Sequence, residues 1–163
     1  MKKHPFWIVV DEGWAGISAE ITFSHSVFDD EEIEIFLGDE FDDDGEEIEE
    51  LPIDEALDIY AEAYQNFIEN IDDLLKDLQE KAFERYQNLY AHYYENPEKS
   101  GNPPLNIDTV EKHNAFIKEL IHFRISEEGT IRLSIHYKLD EEHGLEFKFV
   151  DNQIETVGGI SET

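Results

Sequence analysis

Two blocks of period-two alternation flank one block of helical periodicity, and that order restricts the chain to few architectures. In "GISAEITFS", Ile17, Ala19, Ile21 and Phe23 alternate with Ser18, Glu20 and Thr22. In "EEIEIFLG", Ile33, Ile35 and Leu37 oppose Glu34 and Phe36. Alternation of this kind gives a strand one buried and one wet face. With the β-branched and aromatic run "FWIVVD" and the glycine-punctuated turn "DEGWAG", residues 6–37 read as a three-stranded antiparallel meander. A second meander follows late in the chain. Phe123 and Ile125 alternate with His122 and Arg124, and Ile131, Leu133, Ile135 and Tyr137 with Arg132, Ser134, His136 and Lys138. Leu145, Phe147 and Phe149 then lead through "VDNQ" to a short strand, "IETVGG", and "SEEGT" and "DEEHG" are the turns between.

Between the meanders the period changes. Ile53, Leu57, Tyr60, Tyr64, Phe67, Ile71, Leu74 and Leu78 are spaced by alternating fours and threes, the seam of a packed helix. The pattern runs on through Ala82, Tyr86, Leu89 and Tyr93, with a phase slip near residue 78. Pro52 and the early acids Asp54, Glu55 and Asp58 suit a helix start. No Gly or Pro interrupts residues 53–95, so one long or kinked helix is favoured over two helices broken at "ENIDD". "ENPEKSGNPP" ends it, and "NIDTVEKHNAFIKEL" reads as a shorter helix capped by Asp108. Strands, helices, then strands predict a single α+β domain over residues 1–163. Its antiparallel sheet is built from the N- and C-terminal meanders and packed against a long central helix and a second shorter one.

Charge narrows the function. The 163 residues carry 41 acidic and 12 basic side chains, a formal charge of −29. Nucleic acid and anionic membranes are polyanions and are repelled, whereas basic proteins are attracted. The cations are unevenly placed: none falls between Lys3 and Lys76. Residues 29–58 hold 17 acids and no base. Within them, Asp39, Glu40, Asp42, Asp43, Asp44, Glu46 and Glu47 of "GDEFDDDGEEIEE" are the candidate contact for a basic protein partner; a solvated linker is the plain alternative. Arg124, Arg132, Lys138 and Lys148 on the wet sheet face are expected to pair with acids across strands.

Other chemistry fits poorly. An EF-hand with Gly45 at its glycine would take Glu40, Asp42 and Asp44 as ligands, but its closing position is Leu51, with Glu50 one residue short. The seven histidines form no H-E-x-x-H or H-x₃-H pair, and His122 and His136 near each other would lack a third ligand. The absence of cysteine removes disulfides, thiolate metal sites and thiol nucleophiles. There is no G-x-S-x-G elbow, P-loop or dinucleotide fingerprint, so no metal and no cofactor is expected. "FWIVV" is too short for a signal-peptide core and no run approaches a membrane span, which makes a cytoplasmic protein the default.

One stretch carries a resemblance. "LDEEHGLEFKFVDNQIETVGG" resembles the tail of a group of small uncharacterised bacterial domains, in which a strand ends in W-D-x-E-H-G-L. Asp140, Glu142, His143, Gly144 and Leu145 match, and Leu139 stands where the group has tryptophan. "DEGWAGISAEITF" and "LQEKAFERYQNLY" also look like that group. Such domains are similar to immunity proteins encoded beside bacterial polymorphic toxins. The resemblance therefore implies an acidic inhibitor of a basic toxin and assigns no catalytic residue. Two alternatives stand beside it: a mimic of nucleic acid that occupies nucleic-acid-binding proteins, and an enzyme using carboxylates with His143. The residues alone also allow "DEEHG" to be only a tight turn, with Gly144 at positive φ and Asp140 as its cap.

Overall fold

A computed structural model of the chain describes residues 1–29 and 32–163. Its strands form one sheet whose spatial order follows the sequence: β1 (Lys2–His4), β2 (Ile8–Gly13), β3 (Gly16–Phe23), β4 (Ile33–Leu37), β5 (Glu119–Ser126), β6 (Thr130–His136), β7 (Leu145–Val150) and β8 (Gln153–Gly158). Each neighbouring pair is antiparallel except β4 and β5, which run parallel with Ile35 beside Phe123 and Leu37 beside Ile125. A parallel pair needs a crossover connection. The helices supply it: α1 (Asp54–Glu69), α2 (Ile71–Leu89), two single turns α3 (Ala91–Tyr94) and α4 (Pro97–Ser100), and α5 (Val110–Asn114). The two expected meanders are thus halves of one α+β sheet, joined by that parallel pair.

The core lies between the sheet and α1 and α2. Leu57, Ala61, Tyr64 and Phe67 of α1 and Leu74, Leu75, Leu78 and Ala82 of α2 meet Phe23, Ile35, Phe123, Leu133, Phe147 and Phe149. Phe67 sits edge-on to Phe123 at 5.6 Å and to Phe149 at 5.3 Å. Each such pair adds about 0.5–1.5 kcal/mol beyond area burial. The start of α1 is tied to the first hairpin. The Trp7 indole N–H donates to the Leu57 carbonyl at 3.0 Å, Lys2 Nζ lies 3.0 Å from Asp54, and His4 Nε2 lies 2.8 Å from Asp58 Oδ1.

Four expectations are corrected. The first meander has four strands, because Lys2–His4 pairs with β2 and Phe6 and Trp7 lie in the turn between them. The long helix is broken at Asn70, whose φ of −112° and ψ of 16° leave the helical region. Its side-chain amide donates to the Asn66 carbonyl at 2.9 Å, the local competition by which Asn interrupts helices. The apolar spacing passes through the break unchanged, from Phe67 to Ile71 to Leu74, so periodicity could not reveal it. The shorter helix is a single turn capped by Thr109, which accepts from the Lys112 N–H; Asp108 instead ion-pairs with Lys112 at 2.7 Å. Finally, Phe36 is not on a wet face. It is fully buried beneath Trp14 and Arg124, so the sheet carries a second small cluster opposite the helices.

Candidate functional site

The acidic stretch leaves β4 at Gly38, whose φ is +85°, and folds into a miniature hairpin in which Phe41 bridges Glu47. The Asp42 N–H donates to the Glu46 carbonyl at 2.8 Å. Asp42 Oδ1 accepts from the Asp44 and Glu46 N–H groups at 2.9 and 3.0 Å, and Gly45 turns the chain at φ +82°. This is an Asx-type turn, in which one carboxylate organises the tip. Asp39, Asp42, Asp43, Asp44, Glu46 and Glu47 are exposed and Glu40 is half-buried. None of the seven ion-pairs with a cation among the described residues. Asp30 and Glu31, part of the acidic 29–58 run, lie outside the described residues.

Arg124 fastens this segment to the sheet. One guanidinium nitrogen donates to the Gly38 carbonyl at 2.7 Å and the other to the Ala15 carbonyl at 2.5 Å. A single side chain from β5 therefore holds both the β2–β3 turn and the root of the acidic hairpin. Burial lowers its pKa from the ordinary arginine value, opposed by Glu40 and Asp39; a guanidinium nevertheless stays charged at any working pH. Beside it, burial and then Arg124 itself lower the pKa of His122, and Trp14 stacks on that imidazole at 4.8 Å. The expected pairing of sheet cations is met by Lys148, 3.2 Å from Glu155. Arg124 and Arg132 lie side by side in register instead, with Lys148 next in the row. Arg132 bonds Ser126 Oγ at 3.2 Å, and Lys138 lies past the end of β6.

The Asp140–Leu145 turn is a fastening point. Asp140 Oδ1 accepts from the His143 N–H at 3.2 Å, the His143 ring lies 3.0 Å from the carboxylate, and Tyr90 donates to Asp140 Oδ2 at 2.7 Å. Burial alone would raise the Asp140 pKa, but these bonds outweigh it and hold the carboxyl below its usual range. Asp140 in turn raises the pKa of His143. The Tyr90 phenol is pushed up to about 12, first by burial and then by its bond to Asp140. Gly144 has φ +66°, and a Cβ there would lie 2.5 Å from Ile160 Cδ1. Glu142 is exposed, and Leu145 is buried.

The family described as a domain of unknown function (DUF6985) matches residues 7–162. The chain belongs to that family. No curated protein and no solved structure matches it. In this DUF6985 chain, the stretches that looked familiar in sequence meet in space: Tyr90 closes "LQEKAFERYQNLY" and bonds Asp140, the second residue of the tail motif. Tyr94, four residues on, donates to the Leu139 carbonyl.

Three residues of this DUF6985 domain were not singled out by sequence reasoning. Arg124 looked like one wet-face cation among four, and only the tertiary fold sets its fork against two loop carbonyls. Trp14 lay in a turn and gave no periodic signal, yet 65 % of its surface is exposed. His113 carries no signal in sequence beyond its place in a helical stretch; it is fully buried, with Nε2 2.7 Å from the Tyr137 hydroxyl and Nδ1 without a protein partner among the described residues. His122 and His136 do not pair: His122 stands opposite Ser134, and His136 lies 3.4 Å from Glu141. Among the described residues no group of three or more His, Asp or Glu side chains is arranged to hold a metal ion, and no helix is long and apolar enough to cross a membrane.

Proposed function

We propose that this domain is an acidic protein-binding module of immunity type, which neutralises a cognate basic toxin through the hairpin around residues 39–47. The observation that carries this reading is the hairpin itself. Its carboxylates project from a backbone pinned by Asp42 and Arg124, and none of them ion-pairs with a cation among the described residues; Arg124 is near Glu40 and Asp39 alone. A fixed array of unpaired charge steers a basic partner and gives up little conformational freedom on contact. The resemblance of the tail to immunity domains agrees with it. The Asp140–His143 pair supports an enzymatic reading less well, because its carboxylate and glycine are engaged in holding the turn to Tyr90 and Ile160.

The test is capture of partners from the native host's lysate at low ionic strength. One basic protein retained by the wild type, and lost when Asp42, Asp43 and Asp44 are replaced by lysine, is the expected result; three reversals change the affinity by at least about tenfold. Equal retention by the reversed variant would remove the hairpin from the interface. Retention of many unrelated nucleic-acid-binding proteins would favour the mimic reading.

A further inference from the structure

Beside the acidic hairpin lies a cleft of about 120 Å³ whose wall is the exposed Trp14 and whose rim includes Glu12, Glu40, Glu47 and Glu49, with Ile48 between them. No Lys or Arg lines it, and among the described residues none of the four glutamates ion-pairs with a cation. The indole is held in place. His122 stacks against it at 4.8 Å and 34°, and buried Phe36 meets it edge-on at 5.5 Å and 84°. The two loops that make the cleft are the β2–β3 turn and the hairpin root, the same pair that Arg124 clamps through Ala15 and Gly38. The indole is thus exposed, packed underneath and set beside four glutamates, an arrangement that suits a ligand both cationic and flat.

We infer that this cleft receives an arginine side chain of a basic protein partner, its guanidinium lying on Trp14 and bonding the rim glutamates. Charge complementarity points the site to a cation: four glutamates line it, and the one cation beside it, Arg124, has its guanidinium bonded to the Ala15 and Gly38 carbonyls. Planarity selects arginine over lysine: a guanidinium stacks on indole while its fork meets carboxylates, whereas an ammonium is a strongly hydrated point charge. Trp and Arg are also the side chains most enriched at the energetic centres of protein interfaces. The inference rests on the partner-binding reading above and supplies its anchor: the hairpin steers, and the Trp14 cleft grips.

The experiment uses the full chain and a blocked arginine-bearing peptide, with citrulline and lysine counterparts, at moderate ionic strength. Trp7 is fully buried, so a change in tryptophan emission reports Trp14. Saturable binding of the arginine peptide is expected, with several-fold weaker binding of the lysine form and none of the citrulline form. By calorimetry, Trp14→Ala and the pair Glu12→Gln with Glu47→Gln should each weaken binding about tenfold. Glu98→Gln with Glu111→Gln removes the same charge on α4 and α5, at the opposite end of β5 from the cleft, and should leave it within about twofold, since distant exposed charges are largely screened. Equal loss from the remote pair, binding by Trp14→Ala within twofold of wild type, or binding of the citrulline form as tight as the arginine form would overturn the proposal. The two readings fail separately. A cleft that binds the arginine peptide in a protein that captures no basic partner keeps the site and sinks the immunity reading. A captured partner indifferent to Trp14→Ala does the reverse.

Discussion

Acidification should destabilise this protein through His113. The imidazole packs among Tyr86 at 5.4 Å, Tyr137 at 5.5 Å and Phe83 at 6.0 Å, and its pKa falls to about 4 because burial penalises the charged form. In the unfolded chain the same group titrates near its ordinary 6.5. A depressed native pKa means the unfolded state binds the proton first. The stability contribution is therefore complete above pH 6.5 and is lost as pH falls toward 4. The slope approaches 1.4 kcal/mol per pH unit for one proton, so about 2 kcal/mol disappears between about pH 7.5 and pH 5, and about 3 kcal/mol by pH 4. That is a large share of the roughly 5–15 kcal/mol that stabilises an ordinary domain. Urea unfolding of the wild type and of His113→Gln across that range isolates the effect: the variant should start less stable but show a shallower pH dependence by about 2 kcal/mol. Imidazole NMR of the wild type checks the same quantity without a mutation. A native His113 titrating at or above 6.5, or identical pH dependence in the two proteins, would refute the reasoning.

Three further outcomes are expected. Gly144→Ala should cost about 2–3 kcal/mol in chemical denaturation, because it combines a left-handed φ of +66° with a Cβ 2.5 Å from Ile160 Cδ1 and 3.2 Å from the Ile135 carbonyl. Ile8→Gly should raise stability by about 0.5–1 kcal/mol, seen as a higher Tm: Ile8 sits at φ +69° after a three-residue hairpin turn, where glycine is preferred, and its side chain is exposed. Calorimetric titration with calcium should find no site tighter than about 10 μM, because Asp42, a would-be ligand, already accepts two backbone N–H groups and position Leu51 cannot chelate.

The local patterns were sufficient for the strands of the second meander. Ile131, Leu133 and Ile135 alternate without exception, and a one-residue slip would expose all of them, so the register follows from the sequence. The same logic placed Ile17, Ala19 and Phe23 in the core and identified the acidic stretch as the connection from β4 to α1. It failed where a local pattern has two readings. The four-three spacing fits one helix or two in line, and only Asn70's bond to Asn66 marks the division.

By itself, then, the sequence determined which residues seek the core, the α+β order of elements, and the excess of negative charge. These depend on side-chain type and short-range spacing, which every unfolded copy already carries. Only the tertiary structure decided what meets what. It set β4 parallel to β5 and so brought Arg124 under two loops separated from it by 109 and 86 residues. It buried Phe36 on the face that alternation assigned to water, left Trp14 standing open above it, and enclosed His113 where charge is penalised. Such features arise from contacts between segments far apart in the chain, and no local period records them.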